Sequence, residues 1–108
     1  MKTRVEFPDW RTDAVAVICD SHTHCEWYLF SYKTLICRIK YTTETEETRI
    51  TFNDEPYMAS VTTSKHLRWF LEKYLSKYER VELMQAAHAK SMRDLMLSNI
   101  DYVFQHNA

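Results

Sequence analysis

The 108-residue chain contains no glycine. Glycine is the residue that reaches positive φ without steric cost, and its average usage is about 7%. Every left-handed turn position must therefore be filled by a residue with a Cβ, and the expectation is that Asn, Asp and Ser take those places. Close backbone approach to a phosphate is lost as well, which excludes P-loop and dinucleotide-binding fingerprints.

A chain of this length supports one hydrophobic core, and its 45% hydrophobic and 27% charged residues match a domain that folds in water. No apolar run approaches the roughly 18 residues needed to span a bilayer. Met1 to Pro8 carries Lys2 and Arg4 but leads into no apolar segment of the secretory kind, so a cytoplasmic location is expected and no membrane partner. Cys19, Cys25 and Cys37 are odd in number, which suits reduced thiols better than a disulfide framework. Fourteen basic against fifteen acidic residues leave a formal net charge of -1, so charge-based recognition has to be local.

The pattern predicts an α+β fold, with a small antiparallel sheet of about four strands followed by two helices. Residues 1–12 read as an N-terminal arm, 13–61 as the sheet and 63–104 as a helical hairpin. Strands are expected over Ala14 to Cys19, Glu26 to Phe30, Thr34 to Tyr41 and Thr48 to Phe52, where β-branched and aromatic residues concentrate. In the third, Leu35, Cys37 and Ile39 should face one way and Ile36, Arg38 and Lys40 the other. Thr42 to Glu47 reads as a solvated hairpin loop, and Tyr57 to Val61 as a short edge strand after Pro56. Thr62, Thr63 and Ser64 offer helix N-caps, and Leu67, Phe70, Leu71, Tyr74, Leu75 and Tyr78 follow the spacing of an amphipathic helix. A second helix is expected from about Arg80 to Phe104. Its broad stripe, which includes Met84, Met92, Leu95 and Met96, suits a core but also a homodimer or a partner groove.

Asp20-Ser21-His22-Thr23-His24-Cys25 places a His-x-His pair directly after a strand, and looks like the opening motif of the amidohydrolases. The barrel that supplies the remaining ligands in that family needs some 200 residues or more. No second ligand pair accompanies His22, His24 and Cys25, so no metal or other cofactor is expected. No motif places a nucleophile beside a base, and the expectation is a protein without catalytic residues. Ser60 to His66 is a stronger candidate for recognition, because a helix start presents free N–H groups and hydroxyls, here beside Lys65 and His66.

Phe30-Ser31-Tyr32-Lys33-Thr34-Leu35-Ile36 and Tyr57-Met58-Ala59-Ser60-Val61-Thr62-Thr63-Ser64-Lys65-His66 resemble segments of small domains of unknown function encoded by phages, prophages and plasmids. Similar domains often carry Asn and Pro where this chain has Lys33 and Leu35. The resemblance implies mobile-element origin and carries over no active site. The first expectation is a non-catalytic protein that binds and inhibits a host protein or ribonucleoprotein complex, as an anti-CRISPR or other counter-defence inhibitor does. Its expected partner-binding residues are Lys33, Arg38, Lys40, Thr62, Thr63, Ser64, Lys65, His66, Arg68 and Trp69. The second is a nucleic-acid-binding accessory protein with Lys33, Arg38, Lys40, Lys65, His66 and Arg68 on phosphates and Trp27, Tyr28 or Trp69 stacked on bases. A small thiol or metal enzyme around Cys25 is the third.

Overall fold

Along Ala14-Val15-Ala16-Val17-Ile18, small and branched apolar residues succeed one another, and a strand sends alternate side chains to opposite faces. Ala14, Ala16 and Ile18 are buried, while Val15 and Val17 are half-buried on the other side. A computed structural model, describing residues 1–53 and 60–104, places this segment in a six-stranded antiparallel sheet. The strands are β1 Lys2–Glu6, β2 Ala14–Asp20, β3 His24–Ser31, β4 Thr34–Thr42, β5 Glu47–Phe52 and β6 Asp101–Val103, in spatial order of sequence. Three helices, α1 Val61–Tyr74, α2 Lys77–Ala86 and α3 Met92–Ser98, lie between β5 and β6 in the chain. They cover one face of the sheet and leave the other open.

The α+β class and the four central strands agree with expectation, and the strand ends fall within one or two residues. Two further strands were not expected. The presumed arm contains β1, whose residues pair from Lys2 opposite Asp20 to Glu6 opposite Ala16. Four of its five residues are exposed, so no apolar alternation marks it in the sequence. It is tied to the helical layer instead: the Tyr74 hydroxyl donates to Glu6 Oε1 at 2.7 Å, and Lys73 Nζ lies 3.2 Å from Glu6 Oε2.

The expected helical hairpin is three helices and a strand. α1 ends because Ser76 starts a new helix: its side chain accepts from the Glu79 N–H, and Glu79 reaches back to the Ser76 N–H. Tyr78, expected on the buried stripe of the first helix, therefore lies on α2 and is 88% exposed. Ser91 caps α3 by accepting from the Asp94 N–H, and Asn99 in the left-handed region at φ 50° ends it. The wide stripe that suggested a homodimer is thus distributed over α2, α3 and β6, and its Leu83, Leu95 and Phe104 are all core residues. α1 itself begins earlier than expected, with Ser60 as its N-cap. Tyr57 to Ala59 of the expected edge strand lie outside the described residues, and Val61 opens α1.

The core is built by the rows Ile18, Trp27, Ile39, Ile50 and Ala16, Leu29, Cys37, Phe52, which cross the sheet and meet Leu67, Phe70 and Leu71 of α1. Each fully buried Ile or Leu stabilises the fold by about 1.5 to 3 kcal/mol. Strict alternation on β4 fails at one place. Leu29 pairs with Cys37 and Phe30 with Leu35, leaving Ile36 as an extra residue. That bulge turns Ile36 inward beside Cys37, so Ile36 is buried on the core side and not grouped with Arg38 and Lys40.

Left-handed backbone occurs at Tyr32, Lys33, Glu46, His88 and Asn99. Of these only Asn99 is of the expected Asn, Asp or Ser type. The turn geometry is imposed by strand pairing and helix packing, and side chains with little left-handed preference are carried into it.

Candidate functional site

The two segments singled out in the sequence meet in the structure. β3 ends at Ser31, and Tyr32 and Lys33, with φ of 51° and 66°, form a two-residue turn into β4. Positive φ at both central residues gives the twist that an antiparallel pair accepts. The hairpin end thereby presents Ser31 inward, against the first turns of α1. Ser31 Oγ is 2.7 Å from His66 Nδ1 and 3.2 Å from Thr63 Oγ1. His66 Nε2 is 2.5 Å from Thr12 Oγ1, in the connection between β1 and β2. Ser60 Oγ donates to Thr63 Oγ1 at 3.0 Å and accepts the Thr63 N–H at 3.1 Å.

Ser31 and His66 are wholly buried, and Thr63 nearly so. Both imidazole nitrogens have hydroxyl partners, which satisfies a neutral ring with one N–H donor and one acceptor. Burial pushes the His66 pKa down, only partly offset by the charge of Asp13. The Tyr32 ring covers the imidazole, with 5.7 Å between ring centres. A serine hydroxyl beside an imidazole has the spacing of a nucleophile and its base. Here the pair is sealed and its second nitrogen engaged, so it works as a clip that fastens the hairpin end and the β1–β2 connection to α1. His66 and Thr63, expected to contact a partner, are consequently held inside the fold.

The remaining expected binding residues fall into separate regions. Lys33 is exposed at the hairpin tip. Arg38 and Lys40 lie on the open face of the sheet, where they share Glu26: Arg38 Nη2 is 2.6 Å and Lys40 Nζ 3.9 Å from Glu26 Oε1. The Tyr28 hydroxyl donates to the other carboxylate oxygen, and the Arg38 guanidinium lies 5.9 Å from the Tyr28 ring centre. Burial alone would raise the Glu26 pKa, but hydrogen bonds from Tyr28 and Arg38, with the Arg38 charge, outweigh it and hold the carboxyl below its usual range. Arg49 binds Asp101 through two nitrogens, at 2.7 and 2.5 Å. Arg38, Lys40, Arg49 and Thr51 surround a depression of about 190 Å³.

Thr62, Ser64, Lys65 and Arg68 belong to α1. Thr62 and Lys65 are exposed, and Ser64 Oγ donates to the Ser60 carbonyl at 2.8 Å. Trp69 is half-buried, edge-on to Tyr74 at 6.4 Å, with Lys73 Nζ 5.9 Å from its ring centre. Arg68 is exposed on the outer side and joins two cavities.

The larger, about 680 Å³, lies between α1, α2 and the connection to α3. Leu71, Val81, Met84, Ala89 and Met92 form its apolar floor and walls. Arg68, Arg80 and Lys90 stand at its rim, with Glu72. The second cavity, about 550 Å³, shares Arg68 and Met92 and adds Lys65, Arg93 and the caps Ser60 and Ser91. Together they form one continuous surface of the helical layer. The sequence marks Ser60, Val61, Ser64, Lys65 and Arg68 of it for recognition and Met84 and Met92 as part of a broad stripe, but the expectation of one helix over residues 80–104 hides the junction of α2 and α3 as a groove. The Ser76–Glu79 and Ser91–Asp94 capping signals, both present in the sequence, are what mark that junction.

The His-x-His segment does not assemble a ligand set. His24 Nδ1 is 3.1 Å from Ser21 Oγ and 3.0 Å from Thr23 Oγ1. The Cys25 thiol donates to Asp20 Oδ1 at 2.6 Å; burial and then this carboxylate push it up to about 12. A thiol of that kind is a poor nucleophile. Among the described residues, no group of three or more His, Cys, Asp or Glu side chains is placed to hold a metal ion. No described helix is long and apolar enough to cross a membrane.

A six-stranded antiparallel sheet, layered on one side by helices and fastened to them by a buried Ser–His–Thr clip, defines a small α+β domain. The chain belongs to a family of unknown function, DUF8033, whose pattern matches residues 10–86. That span holds all of Thr12, Ser31, Thr63 and His66, while β1, α3 and β6 lie outside it. No curated protein and no solved structure matches the chain.

Proposed function

We propose that the protein is a non-catalytic binding protein that works by occupying a partner macromolecule. In the mobile-element setting that the motif resemblance implies, the partner is a host protein or ribonucleoprotein complex, and the role is counter-defence of the anti-CRISPR kind. One observation carries the choice of surface: the helical layer presents an apolar groove with a cationic rim, continuous with a second basic cavity across Arg68 and Met92. Exposed apolar surface framed by charge is characteristic of interaction sites. The sealed state of Ser31 and His66, and the raised Cys25 thiol, support binding over bond-making.

The test is affinity purification from a bacterial lysate, with and without nuclease, comparing the full chain with Val81→Asp. Val81 is 48% exposed at the groove, so the substitution alters the surface without emptying the core. A protein retained through nuclease treatment by the parent chain and lost by Val81→Asp supports the reading. Equal recovery by both chains refutes it for this surface.

A nucleic-acid-binding role is the second reading, favoured by Arg38, Lys40 and Arg49 around one depression of the open sheet with Tyr28 beside them. Glu26 and Asp101 neutralise these cations, which weighs against it. Nuclease-sensitive recovery, with affinity falling steeply as salt rises, would install it in place of the first.

A further inference from the structure

The groove's surroundings specify what kind of partner segment it takes. The chain as a whole is almost neutral, with fourteen basic against fifteen acidic residues. The two joined cavities are not: Lys65, Arg68, Arg80, Lys90 and Arg93 line them, against Glu72 alone. None of these five cations is in an ion pair among the described residues, whereas Arg4, Arg38, Lys40, Arg49 and Lys73 each have a carboxylate within 4 Å. Lys2, Arg11, Lys33 and Lys77 also lack an ion pair among the described residues; what sets the five groove cations apart is that they line two joined cavities with one carboxylate, Glu72, among them. Unpaired like charges crowded at one site repel one another, and an anionic partner relieves that repulsion.

The apolar element points to the form of that partner. Val81 and Met84, three residues apart on α2, share a helix face that meets Leu71 of α1 and Met92 of α3. Such a trough accepts a row of apolar side chains from one face of a helix, with methionines adapting to their shape. The cations lie along the rim and in the adjoining cavity, so carboxylates flanking that row would meet them. A small inorganic anion would leave the trough empty, and a nucleic-acid strand would set phosphates against Val81 and Met84.

From this juxtaposition we infer that the groove between α1, α2 and α3 binds an acidic amphipathic helix of a partner protein, its apolar face on Val81, Met84 and Met92 and its carboxylates on Arg68, Arg80, Lys65 and Arg93. The inference rests on the proposed binding role and deepens it by naming the partner's recognition element.

The experiment uses the full chain and a fluorescent helical peptide of about 16 residues, with Leu at i, i+3, i+4 and i+7 and Glu at the flanking positions. A matched peptide carries Lys in place of Glu. Fluorescence anisotropy is expected to show the Glu peptide binding at least about tenfold more tightly than the Lys peptide, with the difference shrinking as salt is added. The double substitution Arg68→Glu with Arg80→Glu should weaken the Glu peptide and strengthen the Lys peptide, a reversal that loss of folding cannot produce. Val81→Asp should remove binding of the Glu peptide. Equal binding of both peptides, binding of neither, or no reversal in the double variant overturns the inference. So does a preference for phosphatidylglycerol vesicles over the Glu peptide, which would make the occupant a lipid surface. The binding role itself is judged separately, by whether Val81→Asp loses its nuclease-resistant partner in the lysate.

Discussion

The two sides of α1 make unlike use of one short stretch of sequence. Thr63 and His66 turn inward and are buried with Ser31, against the half-buried Thr12, while Lys65 and Arg68, one residue before and two residues after His66, face solvent at the cavities. A helix advances about 100° per residue, so a segment that reads as one polar motif is divided between interior and surface. The inner half has every polar atom matched by a partner within the fold. The outer half has Lys65 and Arg68, which form no ion pair among the described residues. Polar residues of the first kind specify structure, and those of the second kind are available for recognition.

The largest effect that would break this contrast is on the inner side. His66→Ala removes an imidazole from a sealed site and leaves the Ser31 and Thr12 hydroxyls without it, which is expected to cost about 2 to 4 kcal/mol in chemical denaturation. A loss below about 0.5 kcal/mol, the usual scale for a surface substitution, would remove the clip from the structural account.

Acid should act in two stages, first at His66 on the inner side of α1 and then at carboxylates of the sheet. The folded pKa of His66 lies below its ordinary value of 6.5, so below that pH the unfolded chain binds the proton first. Stability is therefore expected to fall as the pH drops through 6.5 toward the folded pKa, and this component should be absent in His66→Ala. Glu6 and Glu26 also have depressed pKa values, Glu6 chiefly through the Tyr74 hydrogen bond and Glu26 through Tyr28 and Arg38 against the opposing effect of burial. Their contribution is present above about 4.5 and lost as the pH falls through the folded values. Denaturant midpoints followed from pH 8 to pH 3 would show both stages.

A smaller change tests the backbone. Lys33 and Glu46 hold left-handed turn positions on exposed side chains. Lys33→Gly or Glu46→Gly relieves the Cβ clash, worth about 1 to 2 kcal/mol, and adds unfolded-chain entropy that offsets part of it. A net gain of about 0.5 kcal/mol is expected, and a loss would mean that the side chain does more at the turn than occupy it. Smallest of all should be Arg68→Glu, expected to alter stability by no more than about 0.5 kcal/mol while weakening partner capture. Comparable damage to folding would place Arg68 with the inner residues.

Much of the sheet was legible because its signal is local. β-branched and aromatic residues concentrate in the four central strands, and polar stretches separate them. β1 was not, since Lys2-Thr3-Arg4-Val5-Glu6 is an exposed edge whose pairing with β2 supplies what alternation does not. β6, three residues long, is defined by its partner Arg49-Ile50-Thr51. The helical layer was partly legible: the α1 stripe is regular, but Ser76 and Ser91 go unremarked beside the apolar residues that run past them. Of the candidate site, Ser60, Val61, Ser64, Lys65 and Arg68 were legible as recognition residues and Val81, Met84 and Met92 as part of one apolar stripe, whereas Arg80, Lys90 and Arg93 are brought to the groove by the break between α2 and α3 that the apolar pattern runs past.

The amino-acid sequence on its own determined the α+β class, the four central strands, the helix from which the clip and the groove are both built, and the exclusion of glycine-dependent phosphate sites. Tertiary structure alone decided that Ser31 and Thr12 both meet His66, that Ile36 turns inward, and that cations from three helices gather around one trough. The physical reason is range. Periodicity and capping act between residues a few positions apart, while burial and charge environment depend on which distant segments the completed sheet brings together.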